Sequence, residues 1–129
     1  MASILLIDDD PNVLDVWGDV LSECGHEVVC SESSIDGLTK MEDGRFDLIV
    51  VDLFMPEKDG IETLLEIKRQ DPSQKTLMIS SGGRFQQTSL LSSLTMFGAE
   101  ATLSKASGAL ALKRVVAELV DQPPEVVVH

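Results

Sequence analysis

The stretch FDLIVVDLFMPEKDG, residues 46–60, decides how the rest of the chain is read. Five of its first seven residues are apolar (Phe46, Leu48, Ile49, Val50, Val51), with none of the polar alternation of a strand that faces water on one side. Such a run marks a strand buried on both faces, as in a parallel sheet covered by helices. It then ends on a carboxylate, Asp52, where the strand leaves the core. That acid either marks an exit into water or is placed there to react.

The same kind of short apolar run recurs along the chain. SILLI (3–7), EVVC (27–30), FDLIVV (46–51), TLMI (76–79) and ATL (101–103) read as strands, and amphipathic stretches separate them. Asp10 followed by Pro11 makes an N-cap and first turn; Val13, Trp17, Val20, Leu21 and Cys24 then share one helical face before Gly25 stops the helix. Ser33 or Ser34 caps a second helix that carries Ile35 and Leu38 and closes at Gly44. Asp59 caps a third, with Ile61, Leu64 and Leu65 inward and Asp71-Pro72 as its stop. A fourth runs from about Thr88 to Phe97 and ends at Gly98, and the last places Leu112, Val115, Val116, Leu119 and Val120 at helical spacing. The pattern is β-α five times over. It predicts an α/β fold, a doubly wound five-stranded parallel sheet in a single domain over residues 1–121, with 122–129 as a tail or the start of a linker.

Composition sets the class. A chain of 129 residues, 43% apolar and 25% charged, is long enough to bury a sizeable core without metal or disulfide support. No apolar run approaches a bilayer span, and MASILLIDDD turns acidic without a basic leader, so the expected location is the cytoplasm. Ten basic against twenty-two acidic residues give a net charge of −12, which argues against direct binding of nucleic acid or of an anionic membrane. Cys24 and Cys30 read as buried small hydrophobes rather than a bridge, and His26 and His129 lack metal-spaced partners.

Open parallel sheets bind ligands outside the carboxyl ends of their strands. There the first strand delivers Asp8 and Asp9, the third Asp52, the fourth Ser80 and the fifth, two residues on, Lys105. If the strand order is flavodoxin-like, 2-1-3-4-5, strands one and three are neighbours and three carboxylates converge. Two such charges about 4 Å apart repel by roughly 4 kcal/mol at an effective dielectric of 20, so the cluster needs a cation or a proton. All-oxygen ligands on an open rim suit Mg²⁺, which keeps several waters and accepts phosphate oxygens. A carboxylate beside such an ion can attack phosphorus, a lysine can neutralise a phosphoryl oxygen and a hydroxyl can hold another. An acid at a strand exit is often no more than a solvated cap, yet five compatible groups at the ends of four strands argue for a site.

The residues that carry this pattern are ILLIDDDPNVL, the segment VVDLFMPEKDGIETL with its D-x-x-M-P-x-x-D-G signature, a hydroxyl after strand four and a lysine after strand five. From Ser3 to about Val120 the chain resembles the receiver domain of two-component response regulators. The resemblance implies that Asp52 accepts a phosphoryl group from a histidine kinase or phosphotransfer protein. It further implies that Asp9, Asp52 and the Phe54 backbone carbonyl bind Mg²⁺ directly, with Asp8 acting through water. Met55, Pro56 and Gly60 would shape the loop beside the nucleophile, the glycine by adopting a backbone conformation that other residues resist. Ser80 and the residue at position 102 would form the switch that remodels the face of the fourth helix, fifth strand and fifth helix. The implied protein is an acceptor rather than an enzyme, signalling to a downstream partner or to an output domain beyond the Pro123-Pro124 pair. Homodimerisation through the fourth and fifth helices is compatible with the pattern.

Three features depart from the family. The switch aromatic is replaced by Thr102, Lys105 is followed by Ala106 where a proline, often cis, is usual, and a glycine-rich link runs from Ser81 to Phe85. These leave phosphoacceptance intact and bear on the output switch. Two enzyme or cofactor readings of the same fold fit less well: DDDPN would repel a flavin phosphate, and a haloacid-dehalogenase-type phosphatase needs a second Asp where Phe54 stands. A divergent receiver that docks proteins without phosphorylation is the remaining alternative.

Overall fold

The structure, a computed structural model, describes residues 2–53, 60–80 and 94–121. Its strands are β1 (Ser3–Ile7), β2 (Glu27–Ser31), β3 (Leu48–Asp52), β4 (Thr76–Ser80) and β5 (Ala101–Ser104). Three helices, α1 (Pro11–Glu23), α2 (Ser34–Asp43) and α3 (Gly60–Gln70), lie between them, and a C-terminal helix spans Gly108–Asp121. The strands form one sheet in the order β2-β1-β3-β4-β5, every pair parallel. The parallel sheet is the one that the alternation of elements predicts, and its order is the flavodoxin-like one.

The sheet divides two cores. Leu6, Val50, Leu77 and Ile79 face α1 and the C-terminal helix, where Trp17, Leu21, Leu112 and Val116 cover them. Leu5, Ile7, Ile49, Val51 and Met78 face the other side against Leu38, Leu64, Ile67 and Leu94. β3, central in the sheet, is buried along its whole length, which is why its sequence shows no alternation. β5 at the edge is half-exposed throughout. Its Thr102 pairs with Met78 and Ser104 with Ser80.

Helix boundaries follow their caps. Asp10 accepts from the Asn12 N–H at 2.9 Å with Pro11 opening α1, and the Ser33 hydroxyl accepts from the Asp36 N–H at 3.1 Å to open α2. Gly25, at φ +90°, follows α1, and Gly98, at φ +107°, closes the turn in which its N–H reaches Thr95 O at 3.1 Å. The rest of the expected fourth helix lies outside the described residues, as do Asp59 as a cap and the tail.

Three expectations need correction. Ile35 and Leu65 are exposed, because the inward stripes are Ser34, Gly37 and Leu38 on α2 and Gly60, Thr63, Leu64 and Ile67 on α3. Each stripe follows the i, i+3, i+4 rule only when its small and polar members are counted, and an apolar residue one position off turns toward water. Cys24, at the C-cap of α1, is exposed, whereas Cys30 in β2 is half-buried; both are free thiols. β3 begins at Leu48 rather than Phe46, since Asp47 is exposed and its carboxylate takes the Ser3 N–H at 2.8 Å.

Candidate phosphoacceptor site

β1 ends at Ile7 and β3 at Asp52, and the two strands pair directly, Ile7 opposite Val51. The next residue of β1's chain, Asp8, therefore arrives beside Asp52. Alternation along each strand puts both on the side of Leu6 and Val50. Asp8 is fully buried and Asp52 is 1% exposed, while Asp9 opens to solvent. One carboxylate oxygen from each of Asp8, Asp9 and Asp52 lies within 4.8 Å of the others, the only such cluster among the described residues.

Lys105 answers this charge from the far edge of the sheet. Its ammonium stands 2.8 Å from Asp8 Oδ2 and 3.6 Å from Asp52 Oδ2. Burial works against the charged form, but the bond to Asp8 and the attraction of both carboxylates outweigh it, so the lysine's pKa lies above its ordinary value. Asp8 Oδ1 accepts from the Asp10 N–H at 2.9 Å. Its Oδ2, fully buried, is met by the Lys105 ammonium.

Lys105 reaches across because of the turn that carries it. Residues Lys105–Ser107 form a single 3₁₀ turn, opened by the Ser104 hydroxyl accepting from the Ala106 N–H at 3.2 Å and closed by Gly108 at φ +85°. Described peptide bonds here are all trans. In place of the family's proline, a capping serine and a left-handed glycine shape the turn. Ser-x-x-x-Gly ahead of a helix, residues 104–108, is the sequence signal for this turn.

Gly60 also differs in its reason. It has no left-handed backbone. Instead α3 starts so close to β3 that a Cβ there would fall 2.5 Å from Leu53 Cα and 2.7 Å from the Asp52 carbonyl oxygen. The Gly60 N–H donates to Leu53 O at 2.8 Å. Ser80 closes β4 half-buried, one step beyond Ile79, the partner of Asp52. Thr102 lies in β5, two strands from Asp52, and by alternation faces the side opposite Ala101 and Leu103. Phe54, Met55 and Pro56 lie outside the described residues, and with them the Phe54 carbonyl.

A family model, the response regulator receiver domain, matches residues 4–117. The chain belongs to this family. A receiver domain from Clostridium thermocellum superposes with a TM-score of 0.85 at 25% identity, covering 94% of this chain and 95% of that one. Chemotaxis protein CheY of Listeria monocytogenes is 31% identical over 85 residues, 65% of this receiver domain and 71% of CheY. The transcriptional regulatory protein GlrR of Escherichia coli is 35% identical over 82 residues, 64% of this chain but 18% of GlrR. The domain thus spans under a fifth of the length of that curated relative and most of the length of the other.

Asp8, Asp9 and Asp52 fit a small hard cation. The donors are all oxygen, the buried Asp8 Oδ2 has the Lys105 ammonium beside it, and Asp9 is open to the solvent from which water and phosphate would come.

Proposed function

We propose that this receiver domain takes a phosphoryl group from the phosphohistidine of a histidine kinase or phosphotransfer protein onto Asp52. The observation that carries the reading is the convergence of three carboxylates within 4.8 Å, faced by one lysine. Asp8, Asp9 and Asp52, with the Phe54 carbonyl, would hold Mg²⁺, whose charge when bound offsets that of the incoming phosphoryl oxygens. An Asp52 carboxylate oxygen attacks phosphorus in line. The P–N bond breaks, and its electron pair returns to the imidazole nitrogen. Lys105 neutralises one phosphoryl oxygen and the Ser80 hydroxyl donates to another.

The chain acts as an acceptor with at most slow self-hydrolysis, not as a turnover enzyme. Its output passes to a protein partner or to a domain further along a longer regulator. No described helix is long and apolar enough to cross a membrane, and the acidic surface fits cytoplasmic signalling between proteins. Incubation with acetyl phosphate and Mg²⁺ should add one phosphoryl group by intact mass, and Asp52→Asn should add none. An unlabelled wild-type protein would refute the proposal.

Docking without phosphorylation is the second reading. It draws on Thr102, which gives β5 no aromatic to turn inward.

A further inference from the structure

Two glycines seat two helices on the strands that bear the acids. Gly60 presses α3 onto Asp52 and Leu53, and Gly37 presses α2 onto Ile7, where a Cβ would fall 2.4 Å from the Ile7 Cδ1. Between the seated helices, the hydroxyls of Ser34 and Thr63 hydrogen-bond at 2.7 Å. Ser34 is 2% exposed and Thr63 not at all. Ser34 opens α2 and Thr63 lies in the first turn of α3, so the bond joins the helix ends nearest the rim.

Each helix end is also tied to an acid by the backbone. On one side the Asp8 N–H donates to Ser31 O at 3.1 Å, and the Ser31 hydroxyl donates to Asp36 Oδ2 at 2.5 Å, with Ser33 O 3.2 Å away. On the other the Gly60 N–H donates to Leu53 O, next to Asp52. The result is a closed bracket on the face of the sheet away from the acids' side chains: Asp8, Ser31, α2, Ser34, Thr63, α3, Leu53, Asp52.

We infer that the Ser34–Thr63 hydroxyl pair is a positioning device that sets the spacing of Asp8 and Asp52 for a divalent ion. The inference rests on the reading of Asp8, Asp9 and Asp52 as a cation site. Apolar helix contacts tolerate sliding, whereas a hydrogen bond between two buried hydroxyls holds its oxygens at one distance, so this pair holds the two helix ends at one separation. A small cation such as Mg²⁺ demands near-ideal ligand geometry and is sensitive to that separation.

The test is Mg²⁺ binding to the full chain by calorimetry, with urea unfolding run in parallel. Ser34→Ala and Thr63→Val should each weaken Mg²⁺ binding by at least about threefold, short of the roughly 10–100-fold lost when a direct partner of a metal ligand is removed. Thr63→Ser should restore wild-type affinity. Folded variants that bind Mg²⁺ as the wild type does, whatever stability they lose, overturn the inference. If Thr63→Val does not fold, Ser34→Ala, a loss of one oxygen at the start of α2, decides alone. A wild-type chain that binds no Mg²⁺ overturns the cation-site reading first and the inference with it.

Discussion

Lys105 stands closer to Asp8 than to Asp52, 2.8 Å against 3.6 Å, although Asp52 is the residue expected to react. The lysine is thus the counter-charge of a fully buried carboxylate. Replacing it by methionine keeps most of the stem's packing and removes only the charge. Breaking a buried pair typically costs about 3–5 kcal/mol. With the lysine side chain 20% exposed, Lys105→Met should cost about 2–3 kcal/mol in urea unfolding at neutral pH. Millimolar Mg²⁺ should recover part of that loss by binding the folded state. The folded protein holds the lysine proton more tightly than the unfolded chain does. The pair's contribution is therefore full below the unfolded lysine value of about 10.4 and is lost as pH rises through the higher folded value. A gap between wild type and variant that closes below pH 9 would contradict this assignment.

Gly60→Ala should separate folding from chemistry. The added methyl meets the backbone of Asp52 and Leu53, which cannot rotate aside as a side chain could. Overpacking of this kind costs about 1–3 kcal/mol. Because the clash lies at the proposed acceptor, labelling of the folded fraction by acetyl phosphate should also slow. Full-rate labelling in a destabilised variant would show that α3 can back away without moving Asp52.

Phe54, two residues after the proposed acceptor, carries a bulky apolar side chain that would hinder an attacking water. The phosphoryl group should persist longer on the wild-type protein than on Phe54→Asn. Equal decay rates, followed by loss of label after donor removal, would refute this.

The two thiols should react at different rates. Cys24 is exposed at the end of α1. Burial, seconded by Asp15 and Asp19 against the opposite pull of Lys40, pushes the Cys30 thiol above its ordinary value. Iodoacetamide at pH 8 should alkylate Cys24 first, as read by peptide mass mapping, and Cys30 only slowly unless urea is added. Equal rates in the native protein would mean that β2 opens readily.

Much of this protein is legible along the chain because its signals are local. Each strand is a short apolar run closed by a polar residue, so Asp8, Asp52, Ser80 and Lys105 could be placed at strand exits from sequence alone. Caps at Asp10 and Ser33 are equally local, each a side chain meeting an N–H two or three residues away. The inward faces of α2 and α3 were harder to read, since Gly37, Gly60, Ser34 and Thr63 carry no hydrophobic signal and yet hold the closest contacts.

The order of elements and the residues that end the strands follow from near neighbours along the chain. Which strand ends meet is settled by the folded sheet. Pairing of β1 with β3 brings Asp8 to Asp52, and a lysine from the opposite edge closes over them, although strands about 4.8 Å apart put β5 roughly 14 Å from β1. That meeting, and the Ser34–Thr63 bond behind it, depend on register and on helix seating between residues far apart in the chain. Periodicity carries no information about such contacts, because it is blind to which surfaces face each other once the chain has closed.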